Sequence, residues 1–158
     1  MHAERPNLGT FPEIVSENLE HKTVKLPRDF AGERNLVFIA FQREQQRDID
    51  TWSPHLSEFI AADPTLEHYE LPVIDRLNSL SRWFINSGMR RAIEDHGARA
   101  RTISIYTDKK AFEAPLNIES ELTIFVMVVD RTGKIMWRTE GPWSQNNSDS
   151  LTSFLKSS

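Results

Sequence analysis

The stretch Leu36-Val37-Phe38-Ile39-Ala40-Phe41, followed at once by Gln42-Arg43-Glu44-Gln45-Gln46-Arg47-Asp48, decides the fold. Six consecutive apolar residues, rich in branched and aromatic side chains, suit a strand buried on both faces, as a central parallel strand is. Seven polar residues then end the run. Beyond them Ile49, Trp52, Leu56, Phe59 and Ile60 recur at helical spacing and give one apolar stripe. Pro54 lies inside that stripe, so the helix either starts near Ser53 or kinks there. Asp63-Pro64 ends it.

Toward the N-terminus, Thr23-Val24-Lys25-Leu26 alternates and stops at Pro27, the mark of a short strand. Residues 1–20, with Pro6, Gly9 and Pro12, read as an irregular lead-in, and residues 21–158 as one domain. Toward the C-terminus, Leu66 to Val73 reads as a strand cut off by Pro72. A longer helix is expected after Asp75, with Leu77, Leu80, Trp83, Phe84 and Ile93 on its buried side and Gly97 ending it. Thr102 to Thr107 alternates as a strand, and Lys109 to Ala114 suits a short helical turn. Leu122 to Val129 is a second apolar run. Asp130-Arg131-Thr132-Gly133 signals a tight turn into Ile135 to Thr139. Ser148-Asp149 is expected to cap a last helix, with Leu151, Phe154 and Leu155 facing inward. The order β-β-α-β-α-β-β-β-α predicts an α/β fold of three layers, a central mixed β-sheet with helices on both faces.

The 158 residues fit one domain, and a chain of about this size buries roughly 70% of its unfolded surface without a staple. It contains no cysteine, which excludes disulfides, zinc–thiolate sites, iron–sulfur ligation and nucleophilic thiols. A net charge of −4 argues against a nucleic-acid or anionic-membrane partner. The first residues show no signal-peptide pattern and the apolar runs are too short to span a bilayer, so a cytoplasmic location without membrane insertion is expected.

Two motifs carry a family resemblance. The run Leu36 to Phe41 with a polar loop and a helix containing Trp52 and Pro54 resembles the start of peroxiredoxins and TlpA-like thioredoxin proteins. Thr123 to Ile135, an apolar strand running into Asp130-Arg131-Thr132-Gly133-Lys134-Ile135, resembles the closing hairpin of the same thioredoxin-like superfamily. The resemblance covers residues from about 20 to 156. It implies a reactive Cys or a Cys-x-x-Cys pair in the loop after the first long strand, and a proline just before the closing strand. Here the loop holds Gln42 to Asp48, and Glu121-Leu122-Thr123-Ile124 carries no proline. Both halves of the thiol site are missing together, which implies lost redox activity. A narrower likeness, in Trp52, Gly88-Met89-Arg90-Arg91, Val129-Asp130, Ile135-Met136-Trp137 and Gly141, is similar to the mitochondrial ATP synthase assembly factor, a thioredoxin-like chaperone.

The loop Arg43, Glu44, Gln45, Gln46, Arg47 and Asp48 lies where open α/β sheets bind ligands, at the carboxyl end of a central strand. Arg43 and Arg47 are placed to attract an anion, whereas the bland alternative is a solvated loop that replaced an active site. Arg90 and Arg91, near Arg82, Arg99 and Arg101, form a basic stretch suited to an acidic partner or, more simply, to a solvated helix end. Trp137 beside the closing hairpin is an interface candidate or a side chain packed on the sheet. His21, His55, His68 and His96 are dispersed without metal spacing, and Glu17 to His21 lacks the first histidine of a zinc-protease helix, so neither metal nor cofactor is expected. The leading expectation is a non-catalytic binding or assembly protein with an unidentified protein partner. The rivals are an enzyme using Arg43, Glu44 and Asp48 for non-thiol chemistry, and a structural subunit that forms a homodimer.

Overall fold

Strands β1 (Ile14–Asn18), β2 (Thr23–Leu26), β3 (Asn35–Ala40), β4 (Glu67–Asp75), β5 (Ile103–Thr107), β6 (Phe125–Val129) and β7 (Ile135–Glu140) form one sheet in the order β2-β1-β5-β4-β3-β6-β7. The structure, a computed structural model, describes residues 8–75 and 101–157. The helix expected after Asp75 lies outside these residues. The described helices are α1 (Gln46–Asp50), α2 (Leu56–Ala62), α3 (Lys109–Glu113) and α4 (Gln145–Lys156).

The pairings β3–β4 and β4–β5 are parallel and the others antiparallel, so the sheet is mixed. Every residue of β3 and β6 is buried, as expected for apolar runs covered on both faces. Alternation divides them between two cores. Val37, Ile39, Phe125, Met127 and Val129 join Leu71, Ile105 and Phe112 of α3 on one face. Leu36, Phe38, Val126 and Val128 join Ile49, Trp52, Phe59, Leu151 and Leu155, from α1, α2, α4 and the turn after α1, on the other. Trp52 is fully buried between Phe38 and Phe59 and donates its ring N–H to the Gly141 carbonyl at 3.1 Å.

Several boundaries differ from the sequence reading. Strand β1 lies inside the stretch 1–20 that reads as irregular. Its inward residues are polar: Ser16 donates its hydroxyl to the Ser104 carbonyl, and the Asn18 side chain accepts from the N–H groups of Glu20 and Lys22 to form the turn into β2. Hydropathy therefore gives no alternation to read. Strand β4 runs through Pro72 instead of stopping there. Pro72 is the last residue paired with β3, opposite Ala40, and the β5 ladder continues from Val73, so the missing N–H falls where one ladder gives way to the next. Pro54 divides the expected single helix into α1 and α2, with a 3₁₀ turn at Ser53–His55 between them. The second apolar run becomes a strand only at Phe125, because Leu122 is 84% exposed. Ser144, not Ser148-Asp149, caps α4, its hydroxyl accepting from the Asn147 N–H at 3.2 Å. The turn after β6 matches its sequence. Asp130 accepts from the N–H groups of Thr132 and Lys134, and Gly133 takes φ +94°.

Among the described residues no helix is long and apolar enough to cross a membrane.

Candidate functional site

Strand β3 delivers Phe41 and the loop Gln42–Asp48 to one end of the sheet. A single 3₁₀ turn, Arg43–Gln45, leads directly into α1. Gln42 is extended, and Gln45 folds back on it as a helix-capping glutamine does. The Gln45 side chain is buried within the polar run. Its Oε1 accepts from the N–H groups of Phe41 at 2.8 Å and Gln42 at 3.2 Å, and its Nε2 donates to the Glu121 carbonyl at 2.7 Å. Gln42 Nε2 donates to the same carbonyl at 3.1 Å. Lys109 Nζ lies 3.5 Å from the Phe41 carbonyl and 3.2 Å from the Glu121 carboxylate. The loop after β3 is thus tied by side chains to the loop before β6. A hydrogen bond with Glu113 holds the Glu121 carboxyl below the usual carboxylate range. Burial opposes this shift, and Lys109 with the charge of Lys110 supports it.

The outer side of the loop is open. Arg43, Glu44, Gln46, Arg47 and Asp50 line a shallow surface depression. Arg43 and Arg47 are exposed, and among the described residues no ion pair holds either of them. Gln46 Nε2 donates to Asp50 at 3.0 Å and to Glu70 at 2.8 Å. Burial pushes the Glu70 carboxyl up; the Gln46 hydrogen bond opposes this and the Asp50 charge adds to it. Asp48 is half-buried, and its carbonyl accepts from the Thr51 hydroxyl at 2.6 Å. Because the Phe41 and Gln42 N–H groups are already taken by Gln45, an anion at this loop would depend on the two arginine side chains.

The sequence-selected residues do not all converge. Residues 43 to 48 share the loop, but Gln45 faces inward as a structural tie. Arg90 and Arg91 lie outside the described residues. Trp137 pairs with Val128, which pairs with Leu36, so it lies level with the start of β3, away from the loop after its end. Its ring packs on the α4 side of the sheet and donates to the Ser150 hydroxyl at 3.0 Å. Trp143 stacks on the His55 ring at 3.9 Å. Glu121 and Lys109 escaped the sequence reading because they lie some 70 residues from the loop they meet. Among the described residues no group of metal-ligating side chains gathers.

Solved structures with a thioredoxin-like sheet superimpose on nearly the whole chain. The thioredoxin domain of a thiol-disulfide oxidoreductase from Bacteroides vulgatus is 17% identical, with 96% of this chain and 99% of that one covered at a TM-score of 0.55. A thiol:disulfide interchange protein from Bacteroides sp. is 15% identical, covering 95% and 90% at 0.57. BsSco, a member of the Sco family of cytochrome c oxidase assembly proteins, is 10% identical, covering 100% of both chains at 0.61. The fold is thioredoxin-like. No protein-family model and no curated protein sequence matches the chain, and the likeness to the ATP synthase assembly factor rests on sequence alone. Against the thioredoxin-like frame, the chain has no cysteine, and Gln42 and Gln45 have the spacing of a Cys-x-x-Cys pair.

Proposed function

We propose that this is a thioredoxin-like binding or assembly protein without redox activity, and that it presents the loop Arg43–Asp48 to a protein partner. One observation carries the reading. The end of β3 holds a polar tie of Gln42, Gln45 and Glu121 in a chain without a thiol, while Arg43 and Arg47 stand exposed beside it. Thiol–disulfide exchange and peroxide reduction by thioredoxin-like proteins need a thiolate nucleophile, which this chain cannot supply. Two arginines free of ion pairs among the described residues can make charge-assisted hydrogen bonds to carboxylates of a partner, and guanidinium groups suit planar recognition of that kind.

The test has two arms. Purified protein is assayed for disulfide reduction and peroxide consumption, and no turnover above a heat-denatured control is expected. Chemical-shift mapping with an acidic peptide library then reports where ligands touch, with shifts expected at residues 43–48. Turnover that survives removal of trace metal contradicts the non-redox reading. Shifts confined to the β7–α4 side around Trp137 contradict the choice of face.

A further inference from the structure

The two outer strands of the sheet finish differently. In β2 the Asn18 N–H donates to the Lys22 carbonyl, so alternation turns the backbone of Lys25 away from β1. Asp29 closes that edge: its carboxylate accepts from the Lys25 N–H at 2.7 Å, and its own N–H donates to the Lys25 carbonyl at 2.8 Å. Strand β7, at the other edge, is covered only at its start, where Thr10 bridges to Lys134. Farther along, the Gly141 N–H donates to the Ile124 carbonyl at 2.9 Å. Alternation then turns Trp137 and Thr139 toward β6 and the N–H and C=O groups of Arg138 and Glu140 outward. Among the described residues nothing bonds to these outward groups. The Arg138 guanidinium is half-buried over Phe125, donates to the carbonyls of Leu8 and Leu116, and is held by no ion pair among the described residues. Glu140, two residues on and on the same face of the sheet, is exposed.

An open edge is a template for another strand, and a single sign of charge along it is one way to prevent pairing. Here the outward positions alternate in sign, which suits the strand to itself. We propose that β7 pairs antiparallel with β7 of a second copy of this chain, about a twofold axis through Thr139. Pairing of outward groups with outward groups places the axis on a residue. An axis at Arg138 or at Glu140 sets like charges face to face, which is unfavourable. An axis at Trp137 drives the second copy onto Lys134, where Thr10 already lies. The axis at Thr139 sets Arg138 opposite Glu140 of the second copy, and Glu140 opposite its Arg138. Each of these pairs exchanges both main-chain hydrogen bonds, and each brings a carboxylate to a guanidinium that otherwise meets only carbonyls. Trp137 falls opposite Gly141 of the second copy, an aromatic ring over an edge glycine. The contact is short, so the dimer is a weak one. It forms away from the loop Arg43–Asp48 and does not depend on what that loop binds.

The test is sedimentation equilibrium of the full chain at neutral pH and low salt, with concentrations up to about 1 mM, the range of weak association. Wild type is expected to form dimers, and amide shifts that follow concentration are expected at residues 137–141. Glu140→Lys sets a cation opposite each Arg138 and alters only an exposed side chain, so it should weaken dimerisation by at least about tenfold. Arg138→Glu should do the same through facing carboxylates. A mixture of the two variants makes both cross-strand pairs complementary and should restore a dimer containing one of each. A wild type that stays monomeric throughout overturns the proposal. So does a Glu140→Lys variant that dimerises as wild type does, or a set of concentration-dependent shifts that leaves residues 137–141 unmoved. If Arg138→Glu fails to fold, because Arg138 also ties Leu8 and Leu116, wild type and Glu140→Lys decide between them.

Discussion

Replacing Gln45 with alanine tests whether the loop is held by side-chain hydrogen bonds or merely lies on the surface. The side chain makes three of them, at 2.8, 3.2 and 2.7 Å. Losing its Oε1 strands the Phe41 N–H, which belongs to a residue only 6% exposed. An unsatisfied buried N–H costs about 1–3 kcal/mol, and each hydrogen bond that water can replace contributes about 0.5–1.5 kcal/mol. Gln42 is exposed and the Glu121 carbonyl keeps its bond from Gln42, so these two losses fall at the low end. The sum for Gln45→Ala is about 2–4 kcal/mol. Urea unfolding at neutral pH, followed by tryptophan fluorescence, should show a lower midpoint with an unchanged slope. For a chain of this size the melting temperature should drop by about 4–16 °C. Gln45→Glu provides the chemical contrast, because it keeps an acceptor for Phe41 but sets a carboxylate against the Glu121 carbonyl. It should also destabilise, and more so above the pKa of the new carboxyl. A loss below about 0.5 kcal/mol for Gln45→Ala, within the range of ordinary surface substitutions, would refute the reasoning.

Phe125→Ala should cost about 3–5 kcal/mol in the same assay, because the ring is buried in β6 against Phe41 and beneath the Arg138 guanidinium; a loss under about 1 kcal/mol would contradict a central position for that strand. Burial opposes ionisation of Asp63, but hydrogen bonds from Thr65 and the Arg34 guanidinium at 2.9 Å outweigh it and hold the carboxyl below the usual range. A lowered folded pKa adds stability above the unfolded value near 3.8 and loses it as pH falls through the folded value, so Asp63→Asn should flatten the fall in unfolding midpoint between pH 5 and pH 2. An unchanged fall in the variant would place the acid sensitivity elsewhere, with Asp130 and Glu121 as the other carboxyls shifted the same way.

The framework was legible where chemistry and geometry repeat locally. Strands β3 and β6 are continuous apolar runs, and the turn between β6 and β7 is written in Asp130 and Gly133, which supply the accepting carboxylate and the positive φ. Strand β1 was not legible, because Ser16 and Asn18 face inward through hydrogen bonds instead of apolar contact. Pro72 looks like a strand breaker, and only the pairing shows that its missing N–H falls at the end of a ladder. Within the site, the sequence located the loop but not its division of labour. Gln45 is polar like its neighbours, and the one local signal of its inward role is the capping spacing Gln42-x-x-Gln45. Its partner Glu121, and Lys109, which reaches both Glu121 and the Phe41 carbonyl, are distant in sequence, and only the fold brings them to the loop.

The most direct test of the central claim compares wild type with the double variant Arg43→Ser and Arg47→Ser in quantitative affinity capture at matched salt, with circular dichroism confirming the fold. Each charge-assisted contact contributes on the order of 1.5–3 kcal/mol, so losing both arginines should weaken retention of a specific partner by at least about a hundredfold. The account predicts a discrete protein held by wild type and lost from the variant. Equal retention of the same protein by both would contradict it and would remove the loop Arg43–Asp48 from the binding face.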